Sequence, residues 1–173
     1  AVGTYTAEVT ANTTGCSAQL SVEVLPPTPL EIIDAQVMDV SCFAGDDGFI
    51  VVETDLPGSE LVFDWTPAVG TNEEAGGLVA GSYNVFVVNA SGCSDEVDLV
   101  VSQPPPIAIN LVDSIASECG EENGLLQVEA VGGDGGFTYN WSGAPNGAVI
   151  DNIDAGDYTV EVVDAAGCEA VST

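Results

Sequence analysis

Leu78-Val-Ala-Gly81-Ser-Tyr83-Asn-Val85-Phe-Val87, closed by Gly92-Cys93, is the clearest strand signal in this chain. From Tyr83 onward the side chains alternate, with Tyr83, Val85 and Val87 on one face and Asn84 and Phe86 on the other. A period of two is typical of a β-strand that has one face in the core. Glycine on either side is typical of turns. The segment therefore predicts a half-buried strand between the two glycines.

The same segment carries a second pattern, Leu78-x-Ala80-Gly81-x-Tyr83, in which a tyrosine follows the turn into the strand. It predicts a tyrosine corner, where the hydroxyl bonds to nearby backbone as the chain enters a strand. Ile153-x-Ala155-Gly156-x-Tyr158 repeats the pattern. We therefore expect Tyr5, Tyr83 and Tyr158 to have structural roles rather than binding roles.

The segment occurs three times along the chain. Tyr5, Tyr83 and Tyr158 are 78 and 75 residues apart, and each is followed by a Gly-Cys pair at Cys16, Cys93 or Cys168. A second block also recurs, since Pro29-Leu-Glu-Ile and Pro106-Ile-Ala-Ile each precede a cysteine, Cys42 or Cys119, by 13 residues. Agreement at this many positions indicates a tandem repeat of about 75 residues.

The repeats predict an all-β chain of tandem immunoglobulin-like β-sandwiches, each with one disulfide inside the repeat. We expect residues 1–28 to be the C-terminal part of a truncated repeat, 29–105 a complete repeat and 106–173 a nearly complete one, in a protein that continues in both directions. Proline-rich junctions separate them. In the complete repeat, strands are expected at 30–40, 49–54, 61–65, 77–79, 83–88 and 96–102.

The alternation also assigns the faces of the tyrosine strands. The inward set is Tyr5, Ala7, Val9, Tyr83, Val85, Val87, Tyr158, Val160 and Val162, and the outward set is Thr6, Glu8, Asn84, Phe86, Thr159 and Glu161. Phe86 is an aromatic residue at an outward position, and it is either covered locally or part of an interface. Trp65 and Trp141 are expected in the core, with sugar stacking as the alternative.

The charge composition excludes several functions. The chain has no Lys, Arg or His against 28 Asp and Glu, so its formal charge is −28. Nucleic acids and anionic membrane surfaces are bound through Lys and Arg, and neither is available. No apolar run is long enough for membrane insertion. Catalytic triads and Schiff bases need His or Lys, so we expect no enzyme and no catalytic residues.

The five cysteines fall at two positions of the repeat. The expected disulfides are Cys42–Cys93 and Cys119–Cys168, with separations of 51 and 49 residues, and Cys16 is expected to have a partner upstream of residue 1. Each bond would add roughly 4 kcal/mol and implies an oxidising compartment outside the cell. A metal site is the competing interpretation, but it would lack both CxxC spacing and His.

Calcium is the one cofactor that the acidic residues suggest. Asp46 and Asp47, and their counterparts Glu121 and Glu122, cluster beside the first cysteine of each repeat. Calcium binds several carboxylate and carbonyl oxygens, but no DxDxDG loop is present. We favour a tight turn for these residues and keep calcium as the alternative. The high net charge should in any case be stabilised by counterions.

Three sequences fit the N-glycosylation pattern N-x-S/T: Asn12-Thr-Thr, Asn89-Ala-Ser and Asn140-Trp-Ser. Asn12 and Asn89 lie four residues before the second cysteine of their repeats, where Asp164 stands in the last repeat. An asparagine that forms a turn explains these two positions equally well. Both interpretations stay open.

The repeat resembles the SprB repeat, an immunoglobulin-like or PKD-like unit of Bacteroidota surface proteins. The matching residues are Ser41-Cys42-Phe-Ala-Gly45-Asp-Asp-Gly48, Trp65, Ala80-Gly-Ser-Tyr83 and Gly92-Cys93. The last repeat departs from this pattern, because Glu118-Cys119-Gly-Glu-Glu-Asn-Gly124 is one residue shorter. The resemblance implies a long secreted adhesin or filament, and it makes Ser114, in Asp113-Ser114-Ile115, a candidate for O-glycosylation.

The expected function is therefore a structural segment of a secreted cell-surface filament or stalk, an elongated rod stapled by disulfides. Its partners would be neighbouring repeats or copies of itself in a polymer. The alternative is an adhesin module that binds glycans or partner proteins through strand-end loops. Loop 66–76 differs in sequence from its counterpart 142–152, and binding usually resides in such variable loops.

Overall fold

A computed structural model describes residues 1–27 and 29–173, so Thr28, the last residue of the predicted first segment, lies outside the described residues. The described residues form fourteen strands and one 3₁₀ turn, Gly58–Glu60. The strands are β1 (Gly3–Thr10), β2 (Ser17–Val24), β3 (Ile32–Met38), β4 (Gly48–Thr54), β5 (Leu61–Thr66), β6 (Glu74–Leu78), β7 (Gly81–Asn89), β8 (Ser94–Val101), β9 (Ala108–Ile115), β10 (Gly124–Val131), β11 (Thr138–Trp141), β12 (Val149–Ile153), β13 (Val160–Val163) and β14 (Glu169–Ser172). No helix among these residues has the length and apolar character needed to cross a membrane.

Two sandwiches with the same connectivity follow one another along the chain. In the first, β3-β4-β6 and β5-β7-β8 form two antiparallel sheets. In the second, β9-β10-β12 and β11-β13-β14 take the same places. Immunoglobulin strands A, B, E and C, F, G are distributed in this way between two sheets. The prediction of an all-β chain of immunoglobulin-like sandwiches is confirmed.

Strand positions follow the period-two pattern closely. The predicted strand at 83–88 is β7, Gly81–Asn89, and the predicted strand at 49–54 is β4, Gly48–Thr54. The least regular segment, predicted at 77–79, is instead β6, Glu74–Leu78. This strand has a polar, glycine-rich sequence, and its position is fixed by pairing with β4 rather than by its own alternation.

The core of the first sandwich lies between its two sheets. Val85 and Val87 of β7 are fully buried, and they pack with Ile50 of β4 and Trp65 of β5. Phe86, between the two valines, points away from this core and is exposed. Alternation therefore predicted the inward face of β7 correctly, and burial of these side chains is the main source of stability.

The second sandwich has a separate and smaller core. Val160 and Val162 of β13 are buried, and Trp141 and Ile150 pack in the same cluster. Tyr158, predicted to face inward, is only half-buried and precedes β13. The inward assignment of the two valines is confirmed, as is the core position of both tryptophans.

The hairpin β1–β2 departs from the prediction. Tyr5, Ala7 and Val9 were expected to face a core, yet all three are exposed, Val9 to 72%. The pairing is that of the equivalent hairpin, with Tyr5 opposite Val22 as Tyr83 is opposite Leu99. The difference is that β7–β8 faces the sheet of β3, β4 and β6, whereas β1–β2 forms a two-stranded sheet of its own. The β1–β2 hairpin therefore carries the side chains that face the core in the first sandwich, but no described sheet packs against them.

All three tyrosine corners are formed. The hydroxyls of Tyr5, Tyr83 and Tyr158 each donate to the carbonyl oxygen four residues back, at 2.6, 2.9 and 3.1 Å. The indole nitrogens of Trp65 and Trp141 donate to backbone carbonyls in the loops that follow their strands, at 2.9 and 2.8 Å. The predicted structural roles of these side chains are confirmed.

Candidate functional site at the junction between repeats

The two cysteine positions of a repeat lie at opposite ends of its sandwich. Gly48, the first residue of β4, pairs with Leu78, and Gly81, the first residue of β7, pairs with Val101. The loop before β4, which contains Cys42, therefore lies at the end of the sandwich where β7 begins and β8 ends. The N–H of Val40 in this loop donates to the carbonyl of Ser102 at 3.0 Å, just before the junction prolines. Cys93 lies in the turn between β7 and β8, at the far end of those strands.

The disulfide of this structure joins the two repeats. Cys42 is bonded to Cys168, 126 residues further along the chain, with their Cα atoms 5.6 Å apart. Cys168 lies in the turn between β13 and β14, at the end of the second sandwich that adjoins Pro104-Pro105-Pro106. The linkage therefore holds the outgoing end of one repeat against the incoming end of the next.

The predicted disulfides Cys42–Cys93 and Cys119–Cys168 are therefore wrong. A disulfide requires Cα atoms within about 7 Å. Cys42 and Cys93 are separated by the length of β7, whose nine residues span about 30 Å. Cys93 and Cys119 carry free thiols, as does Cys16. The predicted upstream partner of Cys16 stays a prediction.

The loop that presents Cys42 is held by polar contacts. Asp47 accepts a hydrogen bond from the N–H of Ser41 at 2.9 Å, and the Ser41 hydroxyl and this N–H lower the pKa of Asp47. The N–H of Ala44 donates to Oε1 of Gln103 at 2.8 Å. Ala44 has a φ of 59°, a left-handed conformation that is uncommon for alanine. These bonds fix the loop against the start of the junction.

The turn that presents Cys168 is organised by Asp164, the one buried polar side chain among the described residues. Its Oδ1 accepts from the N–H groups of Cys168 and Ala166 at 2.9 and 3.0 Å, and its Oδ2 accepts from Asp134 at 2.9 Å. The N–H of Asp134 is the largest cause that lowers the pKa of Asp164, against the opposing effect of burial.

A glycine-rich loop completes the junction, and the sequence reasoning missed it. In Gly132-Gly-Asp-Gly-Gly136, the N–H of Gly133 donates to the carbonyl of Pro105 at 2.9 Å. A Cβ on Gly132 would collide with the Pro106 carbonyl. The loop, the prolines and both cysteines surround a cavity of about 430 Å³. The available signal was the glycine run itself, which has no counterpart in the preceding repeat.

The calcium candidates lie in two separate loops. Asp46 and Asp47 are in the loop before β4, and Glu121 and Glu122 are in the equivalent loop before β10. Across residues 1–27 and 29–173, no group of three or more His, Cys, Asp and Glu side chains is arranged to hold a metal ion. The Asp47 carboxylate is engaged with Ser41, which agrees with the turn interpretation.

The remaining candidates are spread over the surface. Asn89 uses its Oδ1 to accept from Ser91 and Cys93 at 2.9 and 3.0 Å, as a turn-forming asparagine does. Asn140 contacts Glu161 and Asn146, Asn12 lies in the exposed β1–β2 turn, and Ser114 is exposed on β9. Phe86 lies opposite Asp64 and Glu96 on the outer face of its sheet. Glycosylation and an interface at these positions stay predictions.

No known family model matches this chain, and no curated protein matches it. Among solved structures, the N-terminal eight immunoglobulin domains of Down Syndrome Cell Adhesion Molecule match with a TM-score of 0.43 at 17% identity, over 98% of this chain and 27% of that one. Sidekick-1 immunoglobulin domains 1–5 match with a TM-score of 0.38 at 11% identity, over 99% and 45%. The chain thus spans less than half of either structure. At these TM-scores the fold rests on the strand pairing described above.

Proposed function

We propose that this chain is a structural segment of an extracellular rod, built from SprB-like immunoglobulin repeats that are locked end to end by disulfides between neighbouring repeats. The observation that carries the proposal is the Cys42–Cys168 bond across the junction prolines. A bond inside a repeat would stabilise that repeat alone. A bond between repeats fixes their relative orientation, which is what a rod requires and a folded binding domain does not.

The contacts around the bond support this role. The Cys42 loop is tied to the first repeat through Gln103, and the glycine loop of the second repeat is tied to the linker through Pro105. Proline also stiffens the linker, since it restricts φ. Every one of these contacts opposes bending at the junction. Disulfides between repeats also favour an oxidising location, outside the cell.

The charge of the chain supports a solvated, extended assembly. A net charge of −28 with no basic residue disfavours compaction of the repeats onto one another, because like charges repel. The same composition offers no group for general acid–base chemistry by His or Lys. A structural or adhesive role is therefore favoured over a catalytic one.

Small-angle X-ray scattering on the oxidised monomer tests the proposal. A compact globule of 173 residues would have a radius of gyration of about 16 Å. We expect a clearly larger value and the distance distribution of a rod, and we expect Cys42→Ser to broaden that distribution. A radius near the compact value would contradict the rod. Glycan-array binding that is lost when loop 66–76 is replaced by loop 142–152 would favour the adhesin alternative.

A further inference from the structure

Cys16 occupies the same kind of turn as Cys168, which is the cysteine that the second sandwich contributes to the bond between repeats. Both cysteines follow a glycine in the left-handed region, with φ of 72° at Gly15 and 88° at Gly167. The carbonyl of Cys16 accepts from the N–H of Ala11 at 2.8 Å, and that of Cys168 accepts from Asp164 at 3.0 Å. The first turn is one residue longer. Each cysteine therefore closes a hairpin turn of the same repeat position.

Cys119 occupies the loop that corresponds to the Cys42 loop. In both loops the residue before the cysteine donates its N–H to an Asp or Asn side chain, at 2.9 and 2.8 Å. In both, the following strand begins with a glycine opposite Leu78 or Ile153. The second loop is one residue shorter, and its turn begins at Glu118 rather than at the cysteine. The matched residues are Ser41 with Glu118, Asp47 with Asn123 and Gly48 with Gly124.

Cys16 and Cys119 are both free and exposed, and they lie at opposite ends of the described repeats. Cys16 is in the turn at the incoming end of the first hairpin, and Cys119 is in the loop at the outgoing end of the last sandwich. We propose that the register of the Cys42–Cys168 bond continues along the array, so that Cys119 bonds a cysteine at the Cys16 position of the repeat that follows it, and Cys16 of a second copy can supply that thiol. This inference rests on the proposed rod and names its covalent partner.

The bond requires an oxidant, and a small-molecule disulfide such as oxidised glutathione is sufficient. The Cys119 thiolate attacks the glutathione disulfide, which forms a mixed disulfide and releases one glutathione thiolate. The Cys16 thiolate of the second copy then attacks the Cys119 sulfur of the mixed disulfide and releases the second glutathione. Two protein thiols are thereby oxidised, one glutathione disulfide is reduced to two glutathione thiols, and the two protons of the protein thiols pass to the glutathione thiolates.

The test is oxidation of the full chain at high concentration in a glutathione redox buffer, followed by non-reducing electrophoresis and mass-spectrometric peptide mapping. We expect a ladder of covalent oligomers whose cross-linked peptides contain Cys119 and Cys16. Cys119→Ser and Cys16→Ser should each abolish the ladder. Cys93→Ser is the matched control and should leave it unchanged, because the Cys93 thiol is partly buried against the core of the first sandwich, whereas Cys16 and Cys119 are exposed.

Mixing the two single variants sharpens the result. A Cys119→Ser chain supplies only Cys16 and a Cys16→Ser chain supplies only Cys119, so the mixture should stop at dimers of unlike chains. Dimers of like chains, a Cys16–Cys16 or Cys119–Cys119 peptide, or a chain that stays monomeric would each overturn the inference. Scattering from the monomer tests the rod separately, so either idea can fail without the other.

Discussion

Asp164 is a single side chain on which the position of a cysteine depends. Its carboxylate receives N–H donors from its own turn and from Asp134, which lies 30 residues away in the chain. The equivalent residue in the preceding repeat, Asn89, makes the two local bonds with a neutral amide oxygen. The charge of Asp164 is therefore needed less for the turn itself than for the contact with the glycine loop.

Replacing this carboxylate should change the acid sensitivity of the protein. The pKa of Asp164 is lowered from 3.8 in the folded state, so its stabilising effect is complete above about that pH and is lost as pH falls through the folded pKa. We expect the melting temperature of the natural protein minus that of Asp164→Asn to decrease as pH is lowered from 7 to 2.5. Asp157→Asn, at an exposed position, controls for the charge removed. A difference that stays constant with pH would contradict this account.

Gly132 tests whether the glycine loop is closely packed against the linker. It has a φ of 91°, and a Cβ there would collide with the Pro106 carbonyl. We expect Gly132→Ala to lower the free energy of unfolding by about 3 kcal/mol, from strain and collision together. Gly135→Ala is the control, since its φ is 73° but its Cβ would meet no atom within 4 Å. If urea unfolding gave the same loss of unfolding free energy for Gly132→Ala and Gly135→Ala, the backbone conformation alone would explain both losses.

Among the elements, β14 is much shorter than its counterpart β8, with four residues against eight. In the first sandwich, Val101 at the end of β8 is buried and pairs with Gly81. Along the corresponding edge of the second sandwich, two cavities of about 310 and 250 Å³ are both lined by Leu126, Gly156 and Tyr158.

Lengthening β14 should close this edge. We expect an added Leu-Val-Val-Ser after Thr173, copied from residues 99–102, to pair with the segment before β13 and bury a valine where Val101 lies in the first sandwich. Burial of one such side chain contributes about 2 kcal/mol, which calorimetry would detect as a higher melting temperature of the second repeat. An extension with Asp in place of the second Val is the matched control. Equal melting temperatures for the two would exclude the packing explanation.

The strands and the disulfide differ in how far the sequence determined them. Alternation in β4 and β7 is a local signal, so their bounds were predictable to within a residue or two. The cysteines recur once per repeat at each of two positions, and this recurrence is compatible with pairing within a repeat as well as with pairing between repeats. Choosing between them required the direction of β7, which carries Cys93 to the opposite end from Cys42. That direction comes from pairing between distant strands.

For the whole molecule, the bond between repeats couples their stabilities. Closing a loop with a separation of 126 residues stabilises the folded state by roughly 5 kcal/mol in the chain-entropy model. We expect Cys42→Ser, or reduction, to lower the melting temperature markedly and to separate the calorimetric transitions of the two sandwiches. Cys119→Ser should leave both unchanged, because that thiol is free and exposed. A similar loss for the two variants would instead support pairing within each repeat.

The same bond alters how the chain carries a pulling force. Between its ends, the shortest covalent path runs from residue 1 to Cys42, crosses the disulfide and leaves from Cys168. The 125 residues between them, which include most of both sandwiches, lie outside that path and bear no load through their backbone. An array linked in this way would lengthen much less when its domains unfold than the same array without the bond.

Single-molecule stretching would measure this directly. With the disulfide intact, only residues 1–42 and 168–173 can lengthen, and reduction should release about 430 Å of additional contour length as the sandwiches unfold. Cys42→Ser should show that longer extension without reductant. Two separate gains of about 50 residues each on reduction would point to bonds within the repeats. In this protein, then, the covalent path through the cysteines rather than domain unfolding sets how far the molecule can stretch.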